Sequence, residues 1–283
     1  MSGRAGSSVL ETVHDALAPR AATATAPQVA IGDRAVLVEC RHPDHGSLAG
    51  VAHRPQGRTG TGTETNLTDL TARSVERLAA DAVTAPAGSV DRAVGVAALN
   101  ALSVPDVEWL VGDPMAALSA DVAVVATVGL FGPAFGTFGD VAVRVVERDP
   151  GRIDPATLPG DVPTTLFAPD EAAAAFDGAD VCFVTGSTLV YGGIDDYLAA
   201  AAMVPLVVLV GATASFRPEP LFDRGVDLLA GARVDDADRV RDGVRAGDCG
   251  TDLHDAGLRK VYRPARPTLP GVQLPTERTE TRS

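Results

Sequence analysis

The stretch DVCFVTGSTLVYGGIDDYLAAA, residues 180–201, runs from an apolar segment through a small-residue turn into a helix-like segment. Thr185, Gly186, Ser187 and Thr188 bring backbone amides and three hydroxyls to a helix start. Such a turn can hold a carboxylate, phosphate or ribose through hydrogen bonds and the helix dipole. No GK[ST] pattern follows and no lysine lies near, which removes a P-loop. GxSxG is also missing and no histidine is placed to pair with Ser187, which removes a nucleophile elbow. Two readings stay open: a ligand-holding turn, or one in which Ser187 or Thr188 caps a helix beginning near Gly193.

A second glycine-rich turn begins at Gly129 and continues through Leu130, Phe131, Gly132 and Pro133 to Gly136. It is not GxGxxG, yet proline suits the first turn of a helix. Glu147 follows Gly129 by 18 residues, close to the spacing of the acid that binds a ribose hydroxyl in dinucleotide folds. On a nucleotide-like reading Phe131 covers an apolar ligand face and Glu147 accepts from a hydroxyl or ligates a cation. On the alternative, the glycines permit tight helix–sheet packing and Glu147 caps a turn. A further turn, Gly211-Ala212-Thr213, ends another apolar run.

Cys40, His42 and His45 gather near one hairpin turn, with His53 at the end of the returning strand. Soft and imidazole donors suit zinc or another transition metal, but no spacing here is a recognised zinc signature, and a polar hairpin tip accounts for them equally. His254 lies in an acidic loop together with Cys249. Lys260, the sole lysine, is an anion contact, a Schiff-base nucleophile or a plain surface residue.

The elements that must position these residues follow from periodicity. Residues 9–17 form a short helix; residues 35–40 and 47–53 alternate as two strands of a hairpin. Apolar residues recur at helical spacing from Leu67 to Ala79, with Thr68 or Asp69 as caps. A second helix runs from its cap Ser89 to Leu102, with Ala93, Ala97, Ala98 and Ala101 on a face suited to close packing. After a bridge near 105–120, residues 122–128, 141–146, 181–185, 206–210 and, more weakly, 226–229 are short apolar runs of strands buried on both faces. Helical segments at 170–176 and 194–202 lie between them. This alternation predicts an α/β fold with a mostly parallel, doubly wound sheet, whose ligands bind beyond the carboxyl ends of the strands.

The chain of 283 residues carries a net charge of −13, which repels nucleic acid and anionic membranes and excludes both as partners. Asp, Arg, Gly or Pro interrupts each hydrophobic stretch short of the roughly 20 residues that span a bilayer. Glu11, His14 and Asp15 break up the first thirty residues, so no secretion signal is expected. Three cysteines without a CxxC pair fit a reduced compartment, and a cytoplasmic location is expected. The composition resembles that of a salt-adapted cytoplasm or a GC-rich genome.

Several stretches together resemble the heavy-metal chelation family, a group built on a domain of unknown function. They are Gly95 to Leu102, Val184-Thr185-Gly186-Ser187-Thr188-Leu189-Val190, Leu209-Val210-Gly211 with Leu221-Phe222-Asp223-Arg224-Gly225-Val226, and Gly257-Leu258-Arg259-Lys260-Val261. The resemblance extends from about residue 10 to residue 262 and lies in the order and spacing of these pieces. It implies a small α+β domain similar to the N-terminal domain of enolase, followed by a Rossmann-like domain, with a site in the cleft between them. It implies no enolase chemistry, because the barrel with its metal-binding carboxylates is missing. Tyr191-Gly192 stands where the family more often has Asn-Gly, and Tyr191 offers a ring to stack on a ligand.

The resulting expectation is an enolase N-terminal-like domain over residues 1–112, a Rossmann-like ligand-binding domain over 113–263 and an unordered tail over 264–283. The ligand is a small anionic or nucleotide-like metabolite, with a divalent metal ion as a further candidate. Gly129, Phe131, Gly132, Glu147, Thr185, Gly186, Ser187, Gly211 and Thr213 form its Rossmann side, and Asn100 and Lys260 reach across the cleft. The alternative is an enzyme, a lyase or transferase acting on a chelator precursor, with Glu147, His254 and Lys260 as its available acids and bases. It requires at least two such groups in reach of one pocket. Assembly as a homo-oligomer also stays open.

Overall fold

A computed structural model describes residues 7–56, 69–70, 72–130, 141–154, 158 and 162–274. The chain opens with helix α1 (Val9–Thr23), started by a capping box: Ser8 Oγ accepts from the Glu11 amide and Glu11 accepts from the Ser8 amide. Strands β1 (Thr25–Ile31), β2 (Ala35–His42) and β3 (Gly46–His53) form an antiparallel sheet in the order β1-β2-β3. The hairpin expectation holds at β2 and β3. Sequence periodicity missed β1, where Pro27 and a bulge between Thr25 and Gln28 break the alternation.

Two helices pack on this sheet, α2 (Val75–Thr84) and α3 (Val90–Ser103). Helix α2 starts at the cap Ser74, later than Thr68 or Asp69 would place it. Helix α3 starts at Ser89 as expected, and its small face brings it close to the sheet. A β-carbon on Gly50 of β3 would lie 2.4 Å from the Ala97 carbonyl oxygen. Only glycine permits that approach.

The second sheet has eight strands in the order β4-β11-β10-β9-β8-β5-β6-β7. They are β4 (Leu110–Val111), β5 (Val124–Val128), β6 (Ala142–Val146), β7 (Thr164–Phe167), β8 (Val181–Thr185), β9 (Leu206–Val210), β10 (Leu228–Val234) and β11 (Leu258–Pro264). The six from β7 to β10 run parallel, and β11 and β4 add antiparallel to one edge. The parallel run reverses its order of travel at β5, which lies between β6 and β8. The topological switch point therefore lies at the carboxyl ends of β5 and β8. Strand β4 precedes the 112/113 boundary yet pairs into the large sheet.

One face of the large sheet (Ala126, Val128, Cys182, Val184, Val207, Leu209) shares a core with α1, α2 and α3. Helices α4 (Ala172–Phe176), α5 (Thr188–Tyr191), α6 (Ile194–Ala200) and α7 (Glu219–Phe222) add residues to the same core. The other face (Val125, Val143, Phe183, Val208, Tyr262) is packed by Met115, Leu118 and Val272. Burial on both faces explains why these strands read as unbroken apolar runs, each buried Val or Leu contributing about 1.5–3 kcal/mol.

Helix α8 (Ala237–Ala246) sets Val240 and Val244 against Leu37 and Val51 of the small sheet. Arg241 grips Glu39 with two hydrogen bonds of 2.6 and 2.7 Å. The small sheet is thus covered on both faces. Helix α9 (Thr251–Asp255) precedes β11. The expected unordered tail is corrected for residues 264–274: the Gln273 amide donates to the Ala117 carbonyl at 2.7 Å and Val272 is buried. An apolar valine against an apolar sheet face outweighs the polar composition there. Among the described residues no helix is long and apolar enough to cross a membrane.

Candidate functional site

The switch point brings together Gly129, Glu147, Thr185, Gly186 and Ser187. Gly129 ends β5 with φ +93, and a β-carbon there would sit 3.0 Å from Thr185 Cγ2. The Glu147 carboxylate accepts from the Leu130 amide at 2.8 Å and from the Arg148 amide at 3.2 Å. It ties the β5 turn to the end of β6, and each oxygen keeps a further lone pair. Phe131 and Gly132 lie outside the described residues.

The Thr185 hydroxyl lies 3.2 Å from Ser187 Oγ and accepts from the Ser187 amide at 3.3 Å. The Gly186 amide donates to the Val210 carbonyl at 2.7 Å. Thr188 turns its hydroxyl back to the Thr185 carbonyl at 2.7 Å. The capping expectation is corrected here. Helix α5 intervenes before Gly193, Gly193 itself caps α6, and neither hydroxyl does so.

The helix that continues from this turn ends at Tyr191, where groups distant in sequence meet. The phenol of Tyr191 accepts from the Gln56 amide at 2.8 Å and lies 3.4 Å from His53 Nε2. The Arg148 guanidinium rests 3.5 Å from the centre of the Tyr191 ring. That ring stacks on an arginine rather than standing free. Burial first, then the charges of Arg148 and Arg34, hold the His53 pKa below the ordinary imidazole value. Burial, and next the Glu147 charge, push the Tyr197 phenol up. Arg148 and Arg34 thus bear on His53 while Glu147 bears on Tyr197, and charges of both signs meet here.

Asn100 and Thr213 have other work. The Asn100 amide nitrogen donates to the carbonyls of Val51 (2.8 Å), Thr213 (3.0 Å) and Ala212 (3.2 Å), and its oxygen accepts from the Ser215 amide at 3.1 Å. The Thr213 hydroxyl accepts from the His53 amide at 2.9 Å. Both are buried and spend their polar atoms joining α3 and β3 to the turn after β9. Gly211 and Lys260 line a separate cavity over β9, β10 and β11, together with His254.

The hairpin donors do not converge. Strand pairing sets His42 opposite Gly46 and His53 opposite Ala35, at the two ends of the same ladder. Cys40 is buried, and burial pushes its thiol up to about 11. His42 uses both ring nitrogens, toward the Asp44 amide and the Thr23 hydroxyl, while its ring stacks on His45. Among the described residues no three His, Cys, Asp or Glu side chains gather as metal ligands.

A Rossmann-like sheet of eight strands with a small antiparallel sheet and helices packed on it defines the class: a mixed α/β protein with a topological switch point between β5 and β8. The chain belongs to DUF364, the family described as "Putative heavy-metal chelation", whose model matches residues 118–263. Two solved structures from that family, both of proteins of unknown function, share the fold. One from Pyrococcus horikoshii is 20% identical with a TM-score of 0.73, over 91% of this chain and 100% of that one. One from Desulfitobacterium hafniense DCB-2 is 17% identical with a TM-score of 0.68, over 90% and 98%. No curated protein matches the chain.

Proposed function

We propose that the protein binds a small anionic metabolite, nucleotide-like or chelator-like, at the carboxyl ends of β5 and β8. One observation carries this reading. Arg148 and His53 both meet the Tyr191 side chain, and Tyr191 ends the short helix that follows the Thr185–Ser187 turn beside Gly129. A charge-assisted contact from Arg148 holds the anion, and the hydroxyls orient it. The family description adds heavy-metal chelation. His53 and Glu147 are the nearby donors, too few for a protein-only metal site, so a metal enters as cargo of a chelating anion that supplies the remaining ligands.

The test is native mass spectrometry with metal analysis on untagged protein purified without chelators, followed by thermal shifts with pyrophosphate, ADP and citrate, each with and without Zn²⁺. A bound anion or a shift that Arg148→Met removes supports the reading. No bound molecule and no shift with any of these probes overturns it.

One observation favours the enzyme alternative: His254 and Lys260, two acid–base groups, line a single cavity. Incubating a metabolite extract with wild type and with His254→Ala separates it from simple binding. Species consumed by wild type alone mark turnover, and identical mass spectra rule it out.

A further inference from the structure

The cavity over β9, β10 and β11 has a volume of about 320 Å³, at the small end of the ~300–1,000 Å³ typical of ligand pockets. Its origin is legible in β10. Leu228, Ala230 and Ala232 alternate onto the same sheet face, the first filled by leucine and the next two by alanine. Two missing side chains leave a slot between the sheet and the Pro114–Met115 segment. Ala232 pairs with Lys260 across the antiparallel ladder, so the only lysine stands on that same face. Its Nζ is held at 2.6 Å by Asp113 from the segment above.

The second polar group is His254. Its Nδ1 lies 2.9 Å from the Leu258 carbonyl oxygen. A carbonyl only accepts, so Nδ1 carries a proton, and Nε2 is the ring nitrogen left to meet a ligand. Apart from Asp113, Lys260 and His254, the side chains lining the cavity are carbon, with the Met115 thioether.

We propose that this cavity binds a small carboxylic acid with an apolar, ring-sized body, whose carboxylate replaces Asp113 on Lys260 and whose amino or hydroxyl group donates to His254. Asp113 is then a built-in competitor for Lys260, and the two residues of one ion pair act on binding in opposite directions. This site is separate from the switch point and stands independently of the anion reading there.

The probes are 2-aminobenzoate, benzoate and neutral benzamide, titrated against the full chain and followed by ligand-observed NMR. Selective ¹³C-methylation of the sole lysine adds a reporter at Lys260. Affinity is expected in the order 2-aminobenzoate, benzoate, benzamide. Lys260→Met weakens benzoate by about tenfold; Asp113→Asn tightens it severalfold. Ala232→Leu, which fills the slot from its floor, abolishes binding while the melting transition persists. Benzamide binding as tightly as benzoate, Asp113→Asn weakening benzoate alongside Lys260→Met, or no binding at millimolar probe would each overturn the proposal.

Discussion

The Tyr191 phenol oxygen lies 3.4 Å from His53 Nε2 and accepts the Gln56 amide hydrogen at 2.8 Å. A side chain from the helical layer of the large sheet thus closes on the strand end of the small one. Because the phenol oxygen already accepts from Gln56, its own hydrogen is free to point at the imidazole. That arrangement uses a neutral His53, which agrees with the burial and the Arg148 and Arg34 charges that lower its pKa.

The neutral imidazole has a consequence for stability. Unfolded, His53 returns to an ordinary value near 6.5, so between that pH and its lower folded value the unfolded state binds more protons. Its contribution is therefore complete above the unfolded value and is lost as pH falls through the folded one. Denaturant melts of wild type and His53→Asn from pH 7.5 downward should diverge in slope within that window. Arg148→Met, by removing one of the lowering charges, should move the His53 NMR titration upward. A His53 titrating at or above 6.5 in the folded protein would refute the neutral dyad.

Gly129 and Thr185 make a second testable contact. A β-carbon on Gly129 meets Thr185 Cγ2 at 3.0 Å, and φ +93 is a conformation that L-residues adopt only under strain. Gly129→Ala should cost about 1–3 kcal/mol. Adding Thr185→Ser removes the crowded methyl and keeps the hydroxyl, so the double variant should recover part of the loss and leave only the backbone cost. Strict additivity in urea melts would show that the two side chains do not touch.

How far the sequence led depended on how each element is buried. Strands β8 and β9 were legible to the residue because both faces are covered and their apolar runs end abruptly at Gly186 and Gly211. Strand β11 was not recognised as a strand, since Arg259 and Lys260 interrupt its alternation on an antiparallel flank of the sheet. The switch-point glycine, threonine and serine were found because turn chemistry is local. Arg148, Tyr191 and His53 were not assembled, because their meeting depends on the packing of two sheets. One local signal was available for His53: counting back from the turn puts it at the open end of the hairpin, away from His42.

The cysteines give a chemical check on the same burial. Cys182 faces the core between β5 and β9 with no exposure, and Cys40 is 3% exposed. Burial raises both thiols, Cys40 to about 11 and Cys182 further still. Cys249 is partly exposed, with the Arg34 guanidinium 3.8 Å from its sulfur. A thiol-disulfide reagent at pH 8 should therefore modify Cys249 in the native protein and reach the other two only on unfolding. Peptide mapping that found Cys182 labelled as fast as Cys249 would contradict the covered sheet.

Asn100 is where a ligand residue and a structural one are told apart most directly. At 1% exposure its amide meets three carbonyls and one backbone amide from two segments distant in sequence. Asn100→Ala takes a partner from each of these groups; the Ala212 carbonyl keeps the Ser215 hydroxyl at 2.8 Å, and with about 1–3 kcal/mol for each of the others left unpaired the expected loss is about 3 kcal/mol. Asn100→Asp should be worse, since a carboxylate replaces the donating nitrogen and faces the oxygens of Val51, Ala212 and Thr213 at close range. The order wild type, Asn100→Ala, Asn100→Asp in denaturant midpoint is thus set by which atom donates. If instead both variants kept wild-type stability and lost only pyrophosphate binding, Asn100 would be a ligand contact and not the staple between α3, β3 and the turn after β9.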